Sequence, residues 1–303
     1  MPNWTDVLQE ISAQPARDGL HPLDIVRRKY LASLADVTGR NVIAYYSGFL
    51  TKSNIAGVEI NDDDKNGVML CVHEMDRSKG LDLLLHTPGG GVAATQSLVH
   101  CLRAMFGNNM RAIIPQIAMS AGTMIACSCK SIVMGKHSNL GPTDPQLMGF
   151  PAIAVKKQFE DAYAAIMADE RATHVWSSIL SQLGPSFLKE CEWAIEWSSE
   201  FLEQALLANM LNGKPNAQVK AKQIVKNMTS EGNWGHDRHF HYDDCIGLGL
   251  TIEILEENQT LQDAVLTVHH CFMHTLANAP CIKIIENHSG RAWIKNHVIE
   301  PST

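Results

Sequence analysis

The chain has 303 residues, of which 45% are hydrophobic and 19% are charged. This is the composition of an ordinary globular protein, and the length permits one large domain or two unequal parts. The net charge of -7, with the basic residues dispersed, argues against a nucleic-acid-binding surface. No apolar run reaches the roughly 18 residues of a membrane span, and no secretory leader is evident at the start.

The cysteines give an indication of the redox environment. There are eight of them, including the close pair Cys127 and Cys129, and their spacing suggests no disulfide framework. Without a secretory signal such cysteines are expected to be reduced, so we expect a cytoplasmic protein.

The first half of the chain alternates apolar runs with helical patterns. Residues 1 to about 38 predict one or two helices, and NVIAYYSGFL, which starts at Asn41, predicts a strand. A helical segment follows NDDDK, and then LDLLLHT, MRAIIPQIAM and SIVMG predict strands that are separated by two helices. Short joints between such elements are typical of parallel βαβ units, and fully apolar strands fit a sheet that is covered on both faces.

The second half is mainly helical. Long helical patterns extend from about 157 to 230, and the segment from about 234 to 300 predicts a short helix in YDDCIGLGL, a further helix and a strand pair. Asn287 to Gly290 predicts the hairpin turn of that pair. The resulting division is an N-terminal helical segment (1–40), a core (41–156), a helical insertion or oligomerisation arm (157–232) and a C-terminal segment that completes the core (233–303).

Three glycines follow Pro88 at the point where LDLLLHT ends and a helical pattern begins. They lie at the carboxyl end of a predicted buried strand, which is where open α/β sheets bind ligands. A phosphate-binding P-loop would continue with Lys and Ser or Thr, but Val92 follows here, and a dinucleotide fingerprint is only partly present. A tight turn without a ligand is the alternative interpretation.

The next strand-to-helix joint contains Ser120, followed by Ala121 and Gly122. A lone serine at this position is usually a helix N-cap. Here, however, the surrounding residues are small enough for a substrate to approach. We also expect the backbone N–H groups of Gly90 and Ala121 to point toward the space above Ser120. Two such donors beside a serine hydroxyl are what an acyl-transfer oxyanion hole requires.

TPGGG, AMSAGTMIA and SNLGPTDPQL, in this order, resemble the ClpP/crotonase superfamily of serine peptidases. The sequence looks closest to the serine dehydrogenase proteinase family, relatives of signal peptide peptidase A. The resemblance runs from about Asn41 to Pro151 and implies an α/β fold, a ClpP/crotonase-like spiral of ββα units with an added helical segment. It implies Ser120 as the nucleophile, with Gly89, Gly90 and Ala121 as oxyanion or substrate-binding residues. It also implies a homo-oligomer that acts on a peptide or protein substrate.

The general base is not evident from this pattern, although a neutral serine hydroxyl needs one. The Clp-like branch has a histidine about where Asp144 stands here, and His137 lies earlier in the same loop. The signal peptide peptidase branch uses a lysine, for which Lys156 and Lys157 are the nearest candidates. A buried lysine with a lowered pKa can act as a base. The alternatives are a solvated helix start for the lysines and an ordinary loop position for the histidine. Asp144 is expected at the site as an oxyanion or substrate-binding residue. The alternatives for Asp144 are a structural role in the loop that lines the site and a subunit contact.

The segment WGHDRHFHYDDC contains His236, His239 and His241 among several acidic residues. Such density suggests a divalent metal, but the spacing matches neither a zincin helix nor a zinc finger. We therefore expect a structural role for the segment, and neither a metal nor a cofactor. Cys127 and Cys129, in the helix that follows Ser120, are expected to be packing residues.

The sequence thus predicts a serine peptidase that forms an acyl-enzyme on Ser120, with no nucleic-acid partner and no membrane span. One alternative is a catalytically inactive ClpP-like oligomeric scaffold, which would keep the fold and lack the base. Another is a crotonase-type acyl-CoA enzyme, which would use the same amide pair on a thioester enolate, although no CoA-binding pattern is recognisable. A zinc-dependent enzyme would depend on the histidine cluster alone.

Overall fold

A seven-stranded sheet forms the centre of the protein, for which a computed structural model describes residues 3–52, 55–229 and 237–297. The strands in these ranges are β1 (Asn41–Ser47), β2 (Leu81–His86), β3 (Met110–Ile114), β4 (Ile117–Ala118), β5 (Ser131–Met134), β6 (Asn139–Leu140), β7 (Gln146–Leu147), β8 (Phe150–Pro151), β9 (Ile252–Ile254), β10 (Cys281–Asn287) and β11 (Ala292–Asn296). The sheet order is β11-β10-β1-β2-β3-β5-β9. Strand β10 pairs antiparallel with both neighbours, and the other pairs are parallel. Two small sheets pair β4 with β6 and β7 with β8.

Helices cover both faces of the central sheet. The α-helices in the described ranges are α1 (Trp4–Ala13), α2 (Pro22–Thr38), α3 (Asp64–Val72), α4 (Val92–Phe106), α5 (Ala121–Cys127), α6 (Ala152–Ala168), α7 (Thr173–Leu180), α8 (Phe187–Ala208), α9 (Ala217–Met228), α10 (Tyr242–Gly247) and α11 (Gln259–Asn278). One face packs against α3, α4, α5, α8 and α9, and the other packs against α2 and α11. None of these helices is long and apolar enough to cross a membrane.

The alternation of side chains along β2 shows why the strands are continuous apolar runs. Leu83 and Leu85 belong to the core on the α3–α5 side, whereas Leu84 belongs to the core beneath α2 and α11. Successive side chains of a strand point to opposite faces, and here both faces are covered. Every residue of β2 is therefore buried.

The predicted α/β fold with a mostly parallel sheet is confirmed. LDLLLHT and SIVMG contain β2 and β5, and the turn at 287–290 joins β10 to β11. Strand β9 was not predicted, because its three residues are too few to reveal a period. The helical pattern after residue 157 is interrupted between α6 and α7, where Asp169 has an extended backbone.

Helix α2 begins and ends at residues that suit those positions. Pro22 is its first residue, where the missing N–H is not needed, and Gly39 ends it in the left-handed conformation with φ 64°. Within the helix, the buried Arg27 donates to Glu286 of β10 with a nitrogen–oxygen distance of 2.6 Å. This buried ion pair joins the α2 layer to the sheet.

Candidate active site

Two strand-to-helix joints lie side by side at the carboxyl end of the parallel strands. One joins β2 to α4 through the glycines, and the other joins β4 to α5 through Ser120. Backbone hydrogen bonds hold them together. The N–H of Thr87 donates to Ile117 O at 3.2 Å, and the N–H of Met119 donates to Thr87 O at 3.0 Å. The fold therefore brings the predicted glycine loop, Gly89 to Gly91, next to the predicted serine.

Gly89 makes the closest approach to the serine. A β-carbon added to Gly89 would lie 2.7 Å from the β-carbon of Ser120 and 2.8 Å from the carbonyl oxygen of Met119. Gly89 also has φ +100°, a conformation that L side chains rarely adopt. Both observations explain why this position requires glycine.

The rest of the glycine loop is paired with Ile60. The N–H of Ile60 donates to Gly89 O at 2.7 Å, and the N–H of Gly91 donates to Ile60 O at 2.9 Å. In a parallel bridge of this kind the N–H of the middle residue, Gly90, points away from the partner strand. Neither the Gly90 nor the Ala121 amide N–H donates a hydrogen bond to another residue of the described ranges.

Ser120 has a strained backbone, with φ 51° and ψ -115°. Such a conformation is uncommon for a residue that carries a β-carbon, and it is often found at functional sites. The serine precedes the first residue of α5, yet its side chain makes no N-cap hydrogen bond. It is half-buried. The N-cap interpretation therefore does not account for this serine.

Ser120 and the glycine loop share a cavity of about 440 Å³. Among its lining residues the ionisable side chains are Glu59, which is exposed, and Asp144, which is buried. Asp144 accepts a hydrogen bond from the Gln146 side-chain amide at 3.1 Å. The complete lining is Glu59, Pro88, Gly89, Gly90, Gly91, Val92, Ser120, Met124, Thr143, Asp144, Pro145 and Gln146.

Lys156 and Lys157 do not line this cavity. Both lie in the second turn of α6 and pair with carboxylates of the same helix, Lys156 with Glu160 at 4.0 Å and Lys157 with Asp161 at 2.5 Å. Their side chains are 49% and 65% exposed. The hydrogen bond to Asp161 raises the pKa of Lys157, the direction opposite to that required of a lysine base.

His137 also lies outside the cavity lining. Its Nε2 is 3.0 Å from the carbonyl oxygen of Pro115, and its Nδ1 is 3.9 Å from a carboxylate oxygen of Glu256. Of the sequence-predicted site residues, the cavity therefore brings together Ser120, Gly89, Gly90 and Asp144, whereas Ala121 follows Ser120 directly and is not part of the lining. It does not bring in the three proposed bases.

Residues 26–265 match a family model described as ClpP-like SDH-type serine proteinase. The chain belongs to this family. The match includes the whole cavity lining, from Glu59 to Gln146.

Two curated relatives of this chain come from Methanocaldococcus jannaschii. The uncharacterized protein MJ0137 is 31% identical over 206 residues, which make up 67% of this chain and 65% of the relative. The uncharacterized protein MJ1495 is 29% identical over 178 residues, which make up 59% of this chain and 53% of the relative. The chain thus spans just under two thirds and about half of the lengths of these relatives.

The structure describes only part of the histidine-rich segment. His236 lies outside the described residues, whereas His241 directly precedes the short helix α10 and its N–H donates to Asp244 at 3.0 Å. Within the described ranges no group of three or more His, Cys, Asp or Glu side chains is arranged to hold a metal ion.

Cys127 and Cys129 are fully buried, and burial raises the pKa of both thiols, that of Cys129 to about 12. A thiol in such an environment is inert. This agrees with the packing role that the sequence predicts for them.

The contribution of residues 59–61 to the site was not predicted from the sequence. Ile60 forms the bridge to the glycine loop, and Glu59 lines the cavity. This segment lies between β1 and α3 and has no motif, so no local signal links it to a loop some thirty residues later. Only the folded chain reveals that it supports the glycines.

Proposed function

We propose that this chain is a serine peptidase in which Ser120 attacks a peptide carbonyl carbon. The observation that carries the proposal is the position of the glycine loop. Gly89 lies against Ser120, and the N–H of Gly90 points away from the Ile60 bridge without a partner among the described residues. Membership in the ClpP-like serine proteinase family supports the same reaction class.

In the proposed mechanism, the amides of Gly90 and Ala121 donate to the oxyanion that forms when the Ser120 oxygen adds to the carbonyl. Fixed backbone donors need no reorganisation as the charge develops, and one such donor contributes about 100- to 1000-fold in rate. The amine then leaves with a proton, and an acyl-enzyme remains on Ser120. Water hydrolyses this ester and regenerates the serine.

A base must take the proton from Ser120, and Asp144 is the buried ionisable group of the described cavity lining. We propose that its carboxylate takes part in this proton transfer by orienting the base or stabilising its charged form, as an acidic residue does in a catalytic triad. Lys156, Lys157 and His137 are tested one at a time as the base. None of these three residues lines the cavity, so the variants Lys156→Met, Lys157→Met and His137→Gln test each candidate separately. Complete loss of serine labelling in one folded variant would identify the base, and unchanged labelling in all three would exclude these candidates.

The test of the proposed function is labelling by a fluorophosphonate probe, with the unsubstituted chain and Ser120→Ala compared at equal concentration. We expect covalent labelling that is lost in Ser120→Ala. An unlabelled chain that is folded would overturn the proposal. It would instead favour the inactive scaffold, or the crotonase-type enzyme, which needs no nucleophilic serine. Turnover of acyl-CoA thioesters would then separate these two alternatives.

We further propose a peptide or protein substrate and a homo-oligomer assembled through the insertion at 157–232. Support comes from large apolar side chains that the described helices α6, α7 and α8 expose. Large apolar side chains that stay exposed to water often mark an interface when they lie together. Light scattering of the unsubstituted chain and of a double variant, Tyr163→Ser with Trp193→Ser, tests this, with loss of assembly expected. The exposed residues are Tyr163, Met167, Val175, Ile179, Trp193 and Trp197.

The cysteines support the expected cytoplasmic location. All eight lie in the described ranges, and all are free thiols. Reduced thiols persist in the cytosol, whereas secreted proteins tend to form disulfides.

A further inference from the structure

A buried ion pair contacts the segment that pairs with the glycine loop. Lys283 of β10 and Asp64, the first residue of α3, are both fully buried, and the Lys283 Nζ is 2.7 Å from Asp64 Oδ1. Burial lowers the pKa of Lys283, as expected for a cation removed from water. A buried pair of this kind gains little net stability, because the desolvation penalty offsets most of the attraction. The pair is therefore better explained by the other groups that Lys283 and Asp64 bind.

Both charged groups bind the backbone of the segment from Glu59 to Asn61. The Lys283 Nζ donates to the carbonyl oxygen of Glu59 at 2.7 Å, and the N–H of Asn61 donates to Asp64 Oδ2 at 2.9 Å. The Tyr45 hydroxyl also donates to Asp64 Oδ2, at 2.7 Å, and so fixes the orientation of the carboxylate. The ion pair thus holds the segment on both sides of Ile60.

Ile60 is the residue that pairs with the glycine loop. Its N–H binds Gly89 O and its carbonyl oxygen accepts from the Gly91 N–H, which together determine the direction of the Gly90 amide. Lys283 and Asp64 are therefore connected to Gly90 through two sets of hydrogen bonds. The first set joins the ion pair to the Glu59–Asn61 segment, and the second joins Ile60 to the glycine loop. Neither charged side chain lines the cavity itself.

We propose that Lys283 and Asp64 are positioning residues that hold the Gly90 amide toward Ser120 through the Glu59–Asn61 segment. This inference rests on the proposed function, because it assigns the pair to the oxyanion donor of that site. The physical reason is the sensitivity of such donors to geometry. A displacement of about 1 Å in a catalytic group reduces the rate by roughly 100-fold.

The first test needs no activity. Hydrogen exchange is measured for peptides that contain the Ile60 and Gly91 amides, in the unsubstituted chain and in Lys283→Gln and Asp64→Asn. We expect both amides to exchange at least about tenfold faster in the variants, because their hydrogen bonds lose their support. Two conservative variants are made so that the test can still be carried out if only one of them folds.

The matched control is Glu286→Gln, which disturbs a different buried ion pair on the same strand β10, that of Glu286 with Arg27. Among the described residues, the Glu286 carboxylate makes no hydrogen bond to the Glu59–Asn61 segment. We expect its exchange at Ile60 and Gly91 to match that of the unsubstituted chain. Equal acceleration in this control and in Lys283→Gln would overturn the proposal and indicate a general loss of stability.

The second test separates positioning from binding. Fluorophosphonate labelling rates are measured as a function of probe concentration, which gives kinact and KI separately. We expect kinact to fall at least about tenfold in Lys283→Gln and Asp64→Asn while KI stays within about twofold, because the cavity remains and only the donor moves. The control Lys295→Met removes a nearby charge that pairs with Asp63 and should leave both constants unchanged.

The two tests fail in different ways. If the unsubstituted chain is not labelled, the proposed peptidase function is wrong, and hydrogen exchange still decides whether the ion pair supports the glycine loop. If the chain is labelled and the variants keep both normal exchange and normal kinact, the positioning proposal is wrong and the peptidase proposal stands.

Discussion

The α-carbon of Gly89 faces Ser120 so closely that an added β-carbon would lie 2.7 Å from the serine β-carbon. Gly89→Ala must therefore displace either the glycine loop or the serine, and its φ of +100° adds backbone strain. We expect fluorophosphonate labelling of this variant to fall at least about 100-fold, the scale of a displaced oxyanion donor.

The matched control for Gly89→Ala is Gly213→Ala. Gly213 also has a positive φ, +71°, but a β-carbon there would meet no atom within 4 Å. This variant incurs the backbone strain without the collision, so it should lose about 1 kcal/mol of stability and keep its labelling. Equal labelling in the two variants would contradict the role of Gly89.

A second prediction concerns the strained backbone of Ser120. Replacing an ordinary residue by glycine normally lowers stability relative to alanine. At φ 51° and ψ -115° the order should reverse, because glycine relieves a strain of order 1 kcal/mol that alanine retains. We expect Ser120→Gly to be about 1 kcal/mol more stable than Ser120→Ala in urea unfolding, with labelling lost in both. A less stable glycine variant would show that the backbone is not strained.

A third prediction concerns acid stability and His86, which is fully buried between Tyr46, Phe49 and His269. Burial lowers the pKa of His86 to about 3 from the ordinary value of 6.5. Between these values the unfolded chain binds one more proton than the folded protein. The free energy of unfolding therefore falls as the pH decreases, by at most about 1.4 kcal/mol per pH unit.

The variant His86→Leu removes this dependence. Neither ring nitrogen of His86 has a hydrogen-bond partner among the described residues, so leucine sacrifices no hydrogen bond to them. We expect the acid-unfolding midpoint, followed by circular dichroism, to move to lower pH. The pKa of His269 is lowered by burial and also by the neighbouring His86, so His269 contributes in both proteins but less in the variant. The exposed His73 supplies the control variant His73→Leu, for which an equal shift would refute the prediction.

A fourth prediction concerns thiol reactivity. Seven of the eight cysteines are buried, and Cys101 alone among them is partly exposed. Burial also raises the pKa of several, including Cys71 and Cys245 to about 12. Because the thiolate is the reactive form, we expect one thiol to react rapidly with a disulfide reagent in the native protein. Cys101→Ser should abolish that fast phase, and its persistence would locate the exposed thiol elsewhere.

Much of the site could be predicted because it consists of two local joints. The change from an apolar run to glycines marks the end of β2, and the small residues after Ser120 mark the start of α5. Parallel strands end at the same edge of a sheet, so the meeting of these joints follows from the sequence pattern once the sheet is assumed. Asp144, expected to line the site, does line the cavity.

The candidate bases were assigned by their distance along the chain from the serine, and such spacing does not determine direction. Lys156 and Lys157 face their own helix carboxylates, and His137 faces the carbonyl of Pro115. Which way a helix or loop side chain points depends on the turns before it. For Lys156 and Lys157 these include the short β7–β8 hairpin, which has no strong sequence signal.

The alternation of strands and helices, the glycine loop and the serine after the next strand were all predictable, because each depends on residues that are close along the chain. The groups that support the glycine loop come together only in the folded chain. Lys283 lies more than two hundred residues beyond Glu59, yet its ammonium group binds the Glu59 carbonyl oxygen. Contacts of that kind arise only when β10 adds to the sheet edge beside β1, and no periodicity or spacing encodes the pairing of one buried charge with another.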